Sequence, residues 1–427
     1  MKKKGEKLEV RSEKGGQDES FSVQNSQFLI PRLRFPEFRE AEGWEEQKLG
    51  DLVEIRSGNS PSRYQLEPTG AHPFVKVEDM NSCVKYQTAA REYSNESDGL
   101  IPRQSLIFPK RGAAIELNKV RLSARELLMD TNMMALTPIG DCRSEFLFYY
   151  ISHVGLSQIA DSSTIPQINN KHIIPLELGF PSTAEQQKIA ECLSSIDEAI
   201  AAQARKLDAL KTHKKGLMQQ LFPREGETQP RLRFPEFQNA GEWHLKRLSS
   251  EIDLISGLHL SPEQYGAAGE VPYFTGPSDF TNEIQRATKW TKRSSNISKP
   301  GDTLITVKGS GVGEVWYSTL QAVALGRQLM AVRVKGGSSR FVFQFLLTKK
   351  TRFEDLGSGN LIPGLSRSDI LEIEAHFPPP AEQQRIADCL TTLDNLITAE
   401  TQKLEALKTH KRGLMQQLFP SPEEVKA

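Results

Sequence analysis

The chain has 427 residues, and its 54 lysine and arginine residues balance its 54 aspartate and glutamate residues, so the formal net charge is zero. This length suits two or three domains, and the zero charge argues against a protein that simply coats nucleic acid. No stretch approaches the run of about 18 apolar residues that a membrane-spanning helix needs, so we expect no membrane contact.

The N-terminal residues 1–27 predict a disordered lead-in. Three lysines follow Met1, and the segment continues as a polar run without the apolar core of a secretory signal. The four cysteines form no CxxC pair and no cluster: Cys83, Cys142, Cys192 and Cys389. This usage suits a reducing cytoplasm and favours neither a disulfide scaffold nor a zinc site.

Two segments of the chain occur twice. Residues 32–38 (RLRFPEF) recur at 231–237, and residues 184–223 recur at 381–420 with 27 of 40 positions identical. Elsewhere only scattered residues match, such as Trp44 with Trp243. One unit of about 197 residues is therefore used twice. The predicted order is a first variable domain (28–180), a helix (181–223), a second variable domain (224–377), a second helix (378–420) and a tail (421–427).

Both variable domains mix short strand-like runs with helical stretches. Residues 72–77 and 303–307 read as strands, and residues 145–159 and 340–356 read as helices. These patterns predict an α+β fold, or a β-barrel-like domain with an appended helix. Residues 309–313 (GSGVG) fit neither phosphate-binding template, so a hairpin turn is the better interpretation.

The near-identical segments predict two long helices with a coiled-coil seam. Apolar residues recur at spacings of four and three, with Gln203, Lys214, Glu400 and Lys411 in the gaps, where they would fix the register at some cost in stability. The seam positions are Ile189, Leu193, Ile196, Ile200, Leu207, Leu210, Leu217 and Leu221 in the first copy, and Ile386, Leu390, Leu393, Ile397, Leu404, Leu407, Leu414 and Leu418 in the second.

We expect the two helices to pair with each other, and to run antiparallel if a pseudo-two-fold axis relates the two copies. The alternatives are that each helix packs on its own variable domain, or that two chains dimerise through the seam. Ser182 or Thr183 would cap the first helix. His213 and His410 recur beside lysines, which favours a solvated face over a metal site.

The sequence predicts no chemistry of its own. It contains no HExxH or GxSxG motif, no metal-spaced cysteines and histidines, and no NPPY-like or DPPY-like tetrapeptide of a methyltransferase. An enzyme with an unrecognised motif and a scaffold that only pairs other proteins are the two alternatives to a DNA reader.

The order of these segments resembles a known family. Two variable domains alternating with AEQQKIAECL…LKTHKKGLMQQLFP and AEQQRIADCL…LKTHKRGLMQQLFP resemble the specificity subunit of type I restriction–modification systems. RLRFPEF followed by tryptophan, PFVKVEDMN, LIFPKRG and LITVKGS are similar to segments of its target-recognition domains. The resemblance covers residues from about 28 to 420.

The resemblance implies a non-catalytic subunit whose two domains each read one half of a bipartite, asymmetric double-stranded DNA site. The helices would set the gap between the halves and bind two modification subunits, which methylate adenine. ATP-driven restriction subunits would join this complex. S-adenosylmethionine, ATP and Mg²⁺ are expected on those partners, and no cofactor is expected on this chain.

Polar and charged loop residues at equivalent places in the two domains are the candidates for DNA contact. They are Arg63, Lys76, Asn81, Lys110, Arg111, Lys119, Gln167, Asn169, Asn170 and Lys171 in the first domain, and His259, Thr275, Ser278, Asn282, Lys308, Ser310, Asn360, Ser366 and Arg367 in the second.

Three matches refine this set. Lys110 aligns with Lys308, which favours a phosphate contact, since a residue shared by two different readers carries no sequence information. The shared Asp79 and Asp279 suggest a structural carboxylate, for example one that caps a turn. The segments 167–171 (QINNK) and 365–369 (LSRSD) differ, as base-reading residues should.

Overall fold

The computed structural model describes residues 29–292, 296–358 and 364–420. The predicted lead-in at 1–27 and tail at 421–427 lie outside these residues. The described chain forms two compact units: the first comprises residues 29–199 and 407–420, and the second comprises residues 200–406.

The first unit combines three sheets with short helices. Its strands are β1 (Glu45–Lys48), β2 (Val53–Ser57), β3 (His72–Val75), β4 (Tyr86–Gln87), β5 (Glu92–Ser94), β6 (Leu106–Pro109), β7 (Arg121–Ser123), β8 (Leu128–Met129), β9 (Met133–Pro138) and β10 (Glu177–Phe180). Its short helices are α1 (Leu49–Leu52), α2 (Ser144–Val154), α3 (Leu156–Ile159) and α4 (Asn170–Ile173). The sheet orders are β2-β9-β6-β7-β4, β5-β3-β8 and β1-β10.

The long helix α5 (Thr183–Leu221) follows, and the second unit repeats the plan. Its strands are β11 (His244–Arg247), β12 (Ile252–Ser256), β13 (Tyr265–Gly266), β14 (Val271–Phe274), β15 (Trp290–Thr291), β16 (Ile297–Ser298), β17 (Thr303–Thr306), β18 (Val315–Tyr317), β19 (Val323–Leu325), β20 (Leu329–Val334) and β21 (Glu374–Phe377). Its helices are α6 (Leu248–Glu251), α7 (Ser339–Thr348), α8 (Lys350–Ser358) and α9 (Arg367–Leu371), and α10 (Pro380–Leu418) ends the described chain.

The two units share a strand framework. In the first unit β9 pairs antiparallel with β2 and β6, and β3 pairs parallel with β8. In the second unit β20 pairs antiparallel with β12 and β17, and β14 pairs parallel with β19. The strands form open sheets with helices beside them, so the α+β prediction is confirmed.

The long helices α5 and α10 pair with each other and run antiparallel. In the second unit, Gln203 contacts Glu400 and Lys214 contacts Asp394. Residue numbers therefore increase along α5 in the direction in which they decrease along α10. In the first unit, Lys411 contacts Asp197. All sixteen predicted seam positions are buried or half-buried, and the two helices form the predicted antiparallel coiled coil. We refer to α5 and α10 as the spacer helices.

The start of each spacer helix also packs on its own variable domain. Arg34 of the first RLRFPEF copy donates from Nε and Nη2 to Glu185 of α5 at 2.8 and 2.7 Å. Arg233 of the second copy repeats both bonds to Glu382 of α10, at 2.8 and 2.7 Å. Ser182 accepts a 3.4 Å bond from the Glu185 amide and so caps α5. In each unit, the RLRFPEF segment and the start of the spacer helix, which are both closely repeated, thus contact each other.

The end of each spacer helix enters the aromatic core of the unit in which it finishes. Phe419, just after α10, stacks on Tyr150 of the first unit at a centroid distance of 4.9 Å. Phe222, just after α5, lies 5.3 Å from Phe341 of the second unit. Each variable domain is therefore completed by the helix that follows the other variable domain. Among the described residues, no helix is both long and apolar enough to cross a membrane.

Candidate nucleic-acid interface

Three loops of the first unit meet where its strands end. The Lys110 amide donates to the Asn132 carbonyl at 2.8 Å, and the Ile168 amide donates to the Lys110 carbonyl at 2.9 Å. Arg111 and Gln167 form an isolated antiparallel bridge. These backbone bonds hold loops from distant parts of the sequence in one place. We call this set the first loop junction: residues 110–112, 130–132 and 165–171.

The second unit contains the same arrangement. The Val307 amide donates to the Gln328 carbonyl at 2.7 Å, the Leu365 amide donates to the Val307 carbonyl at 2.8 Å, and Lys308 bridges Gly364. We call this set the second loop junction: residues 307–311, 326–328 and 364–367. The backbone contacts that form this junction, which we call its frame, are equivalent to those of the first junction.

This equivalence corrects the alignment of the two lysines. Phe108 pairs with Met134 as Ile305 pairs with Met330, so Lys110 corresponds to Val307, and Arg111 corresponds to Lys308. The predicted match of Lys110 with Lys308 is therefore wrong by one residue. The match of Lys110 with Lys308 rests on identical residue types, whereas the strands that lead into the loop set the register. A slip of one residue reverses the side of the strand that a side chain faces.

The correction separates two kinds of cation. Lys110 is half-buried and donates to Ser57 Oγ at 3.0 Å; burial lowers its pKa, against the opposing effect of Asp130. Arg111 and Lys308, the structurally equivalent pair, are both exposed. They are the cations that the two junctions share at their surfaces.

The 167–171 and 365–369 match is also shifted by one residue. Asn169 and Ser366 occupy the same place, and each is the N-cap of a short helix, α4 or α9. Ser366 Oγ accepts from the Asp369 amide at 3.2 Å, and His172 Nδ1 accepts from the Asn169 amide at 3.2 Å. A structural role in capping therefore accounts for both residues.

The following position differs between the units. Asn170 of the first junction is exposed, and so is its counterpart Arg367, which donates to the Leu254 carbonyl at 3.1 Å and to Ser256 Oγ at 3.0 Å. Lys171 is exposed next to Asn170. Ser256 is the counterpart of Ser57, so each unit places a cation on the same serine but takes it from a different loop.

The shared aspartates are structural, as predicted. Asp79 Oδ2 accepts from the Lys76 amide at 2.9 Å. Asp279 Oδ2 accepts from the Thr275 amide at 2.6 Å and from Thr275 Oγ1 at 2.7 Å. Hydrogen bonds from Thr275 and Lys289 hold the pKa of Asp279 below its usual value, although burial opposes this. Each carboxylate fixes the shape of a loop beside the junction.

Several predicted residues of the first domain already have partners. Lys76 forms an ion pair with Glu92, and Arg63 forms one with Asp98. Lys119 Nζ donates to Asn81 Oδ1 at 2.7 Å, which brings two predicted residues together. The first junction also borders an open depression of about 460 Å³, lined by Val77, Glu78, Arg111, Gly112, Asp130, Asn132 and Ile165.

The predicted residues of the second domain divide in the same way. Thr275 is bonded to Asp279, and Asn282 is bonded to the backbone of Tyr317 and Thr319 at 3.0 and 2.8 Å. His259, Ser278 and Ser310 are exposed. Asn360 lies outside the described residues.

One component of each junction was not predicted from the sequence: the turn before β9 or β20. In the first unit, Asp130 accepts from the Thr131 amide at 2.7 Å and from Asn132 Nδ2 at 3.1 Å, which stabilises the turn. In the second unit the turn is Gly326–Arg327–Gln328. Arg327 is exposed, and its side chain has no hydrogen bond or ion pair in the described part of the chain. The sequence does contain a signal for this turn: residues 130–132 and 326–328 differ, although the apolar strands β9 and β20 that follow them are similar.

The equivalent serines Ser57 and Ser256 are each followed by a glycine, and these glycines explain how the turns are held. A Cβ atom on Gly58 would lie 2.0 Å from the Asp130 carbonyl oxygen, and one on Gly257 would lie 2.0 Å from the Gly326 carbonyl oxygen. Only glycine permits such a close backbone approach. The turn of each junction is therefore seated directly on the end of β2 or β12.

The remaining sequence hypotheses concern metal and phosphate. No group of three or more histidine, cysteine, aspartate or glutamate residues in the described ranges could hold a metal ion. His213 and His410 lie on the exposed face of the spacer helices. Residues 309–313 join the antiparallel strands β17 and β18, which confirms the hairpin turn. Gly309 and Gly313 have φ angles of +91° there.

Comparison with known proteins agrees with this architecture. The family model described as type I restriction modification DNA specificity domain matches residues 41–212 and 241–409. The chain is 21% identical over 427 residues to the type I restriction enzyme MjaVIII specificity subunit of Methanocaldococcus jannaschii, covering 91% of this chain and 95% of that protein.

Two solved structures share the fold. The S subunit of a type I restriction–modification system from M. genitalium aligns with a TM-score of 0.61 at 16% identity, over 92% of this chain and all of that one. A chain from a study of complex assembly and conformational transition of the type I R-M system aligns with a TM-score of 0.57 at 18% identity, over 89% and 98% of the two chains. Since the family model matches both halves, the chain belongs to the type I restriction–modification DNA specificity family, as a specificity subunit with two recognition domains.

Proposed function

We propose that each variable domain reads one half of a bipartite, asymmetric DNA sequence through its loop junction. The observation that carries this is the contrast between frame and side chains: the backbone bonds of the two junctions are equivalent, whereas the exposed residues differ. Thr131 and Asn132 correspond to Arg327 and Gln328, and Asn170 corresponds to Arg367. Arg, Asn and Gln are the side chains that pair with base edges in the major groove, so different sets favour different half-sites.

Arg111 and Lys308 are proposed as phosphate contacts. Both are exposed cations at the same place in the frame, and a contact common to two different readers positions the domain without selecting a base. Because the net charge of the chain is zero, we expect it to bind DNA weakly alone and to gain affinity from its partner subunits.

The spacer helices are proposed to set the gap between half-sites and to bind two modification subunits, with restriction subunits joining that complex. Their identity extends to exposed positions, which core packing does not require: Thr212 and Thr409, and His213 and His410. We propose that the subunit itself is non-catalytic and works in the cytoplasm, and that its partners use S-adenosylmethionine to methylate adenine and ATP with Mg²⁺ to restrict DNA.

The test is an exchange of one variable domain within the complete complex. Residues 44–180 are replaced by the corresponding domain of another specificity subunit, and the methylated genomic motif is determined by sequencing that detects modified bases. One half of the motif should change while the other half and the gap stay constant. Exchange of residues 243–377 is the matched control and should change only the other half. A change in both halves, or none, would contradict the proposal.

A further inference from the structure

One contact in the second unit joins two equivalent positions of the repeat. Gln203 of α5 and Glu400 of α10 occupy the same place in the two copies, yet they differ in chemistry. Gln203 Nε2 donates to Glu400 Oε2 at 2.6 Å and to the Glu400 carbonyl oxygen at 3.0 Å. Lys206 Nζ donates to Glu400 Oε1 at 2.5 Å. Both Gln203 and Glu400 are buried.

The repeat creates a pairing problem that this contact addresses. The repeated segments are identical at 27 of 40 positions, and apart from Gln203 and Glu400 their seams present the same kind of residue. Two α10 helices from different chains, or two α5 helices, would therefore form nearly the same seam. Apolar burial alone is non-directional and does not distinguish like from unlike partners.

We propose that the Gln203–Glu400 contact selects the pairing of the first spacer helix with the second and disfavours pairing of two second spacer helices from different chains. In an α10–α10 pair, two carboxylates and two carbonyl oxygens would meet at this place without the amide donor. Two close carboxylates oppose each other's ionisation. In an α5–α5 pair, two amides would meet and lose the charge-assisted bond to a carboxylate.

The neighbouring cations do not remove this preference. Lys206 and Lys403 are the charged groups acting on Glu400, and they occur in both copies, so like and unlike pairs contain them alike. The Gln203 amide, followed by Lys206, holds the pKa of Glu400 below its usual value. A donor at position 203 is thus the feature that an α10–α10 pair lacks.

The consequence for recognition rests on the proposed function. Unlike pairing keeps one first and one second variable domain in each assembly, which is what an asymmetric site requires. Like pairing between chains would instead join two copies of the same variable domain, and such an assembly would read a site with two identical half-sites.

The test uses four full-length chains that place every combination in the same tethered structure: the natural protein, Glu400→Gln, Gln203→Glu, and Gln203→Glu with Glu400→Gln. Urea unfolding is measured at pH 8 and pH 5. At pH 8, Gln203→Glu should lower the folding equilibrium constant by about tenfold or more, since two carboxylates then face one another without the amide donor. This deficit should shrink at pH 5, where one carboxylate takes up a proton. The reversed pair in the double variant should restore most of the loss.

A second measurement reports the choice of partner. Two differently tagged copies of the same chain are refolded together, and the fraction that co-purifies is compared at equal concentration. Glu400→Gln should give a larger mixed fraction than the natural chain, and the reversed pair should not. A Gln203→Glu chain as stable as the natural one at pH 8, no rescue by the reversed pair, or no excess of mixed Glu400→Gln chains would overturn the proposal. None of these results bears on half-site reading, which the domain exchange tests separately.

Discussion

Arg34 and Glu185 form a buried, two-bond ion pair between the RLRFPEF segment and the first turn of α5, with side chains 8% and 2% exposed. Arg34 also donates to the carbonyl oxygens of Ala41 and Glu42 at 2.8 and 2.7 Å. The hydrogen bond to Glu185 raises the pKa of Arg34, and burial opposes this. The pair joins the RLRFPEF segment to the start of the spacer helix, which explains why both segments are repeated so closely.

Replacing Arg34 by Met should destabilise the first unit strongly. The change leaves the Glu185 carboxylate buried without its partner, a situation that typically costs about 3–5 kcal/mol. Urea unfolding of the full chain measures it. Arg39→Met is the matched control, since Arg39 is exposed a few residues further along, and it should change the free energy of unfolding by less than about 0.5 kcal/mol. Equal effects of the two variants would contradict a stabilising role of the Arg34–Glu185 ion pair.

Replacing Leu207 and Leu404 together by Lys should disrupt the paired spacer helices. Both leucines are buried seam residues, 7% and 8% exposed, and two uncompensated charges would enter the seam. Circular dichroism should show loss of helix, and assembly with the modification subunit should fail. Ala201→Lys with Thr398→Lys is the control, because both residues are exposed, differ between the two copies and should tolerate the same added charge. Natural stability in the leucine variant would refute the seam.

His153 predicts a pH dependence confined to the first unit. Its ring stacks on Phe419 at 5.4 Å, and burial lowers its pKa. A lowered pKa means that the folded state disfavours the charged ring. Stability is therefore complete above the unfolded pKa of about 6.5 and falls as the pH drops below it.

The measurement is the free energy of unfolding from pH 7.5 to 5.5. His153→Phe keeps an aromatic ring against Phe419 and should flatten part of the slope. His213→Phe alters an exposed histidine and should keep the natural slope. The prediction fails if His153→Phe leaves the slope unchanged.

Arg327→Ala should relax recognition at one position of the half-site read by the second variable domain. Arginine binds guanine through two hydrogen bonds, and a good pair of this kind contributes about 1–3 kcal/mol of discrimination. Methylation rates of the complete complex on single-base variants of its site provide the measurement. Arg247→Ala removes a charge from β11, outside the junction, and serves as the control. A uniform loss over all sequences would instead mark Arg327 as a phosphate contact.

The repeat, the seam and the mixed α+β class could be predicted because each leaves a periodic or duplicated trace in the sequence. The spacing of Leu207 and Leu210 is local information, and a heptad reports burial directly. The contact of Arg34 with Glu185 spans 151 residues, and nothing local marks it. Its trace was the joint repetition of two segments, whose mutual contact only the fold reveals.

The junctions show where sequence comparison fails. Lys110 and Lys308 share a letter, but the strands before them fix a register that pairs Lys308 with Arg111. Asn169 and Ser366 were assigned to base reading by their polarity, although the same polarity makes them helix caps. The same polar residue types cap helices, stabilise turns and contact bases, so the local backbone structure is needed to tell these roles apart.

The placement of Phe222 and Phe419 has a consequence for how such genes can change. Each of these residues ends the spacer helix that follows one variable domain but fills the core of the other, where Phe419 stacks on Tyr150 and Phe222 packs against Phe341. Phe222 directly precedes the second variable domain in the chain, whereas Phe419 is separated from the first by the whole second variable domain. A replacement first domain must therefore provide a pocket for a phenylalanine that is encoded far from it. A stop codon shortly before residue 419 would, by the same logic, uncover the first domain and leave the second one intact. A variable domain can therefore be exchanged only for one that has kept the pocket for this phenylalanine.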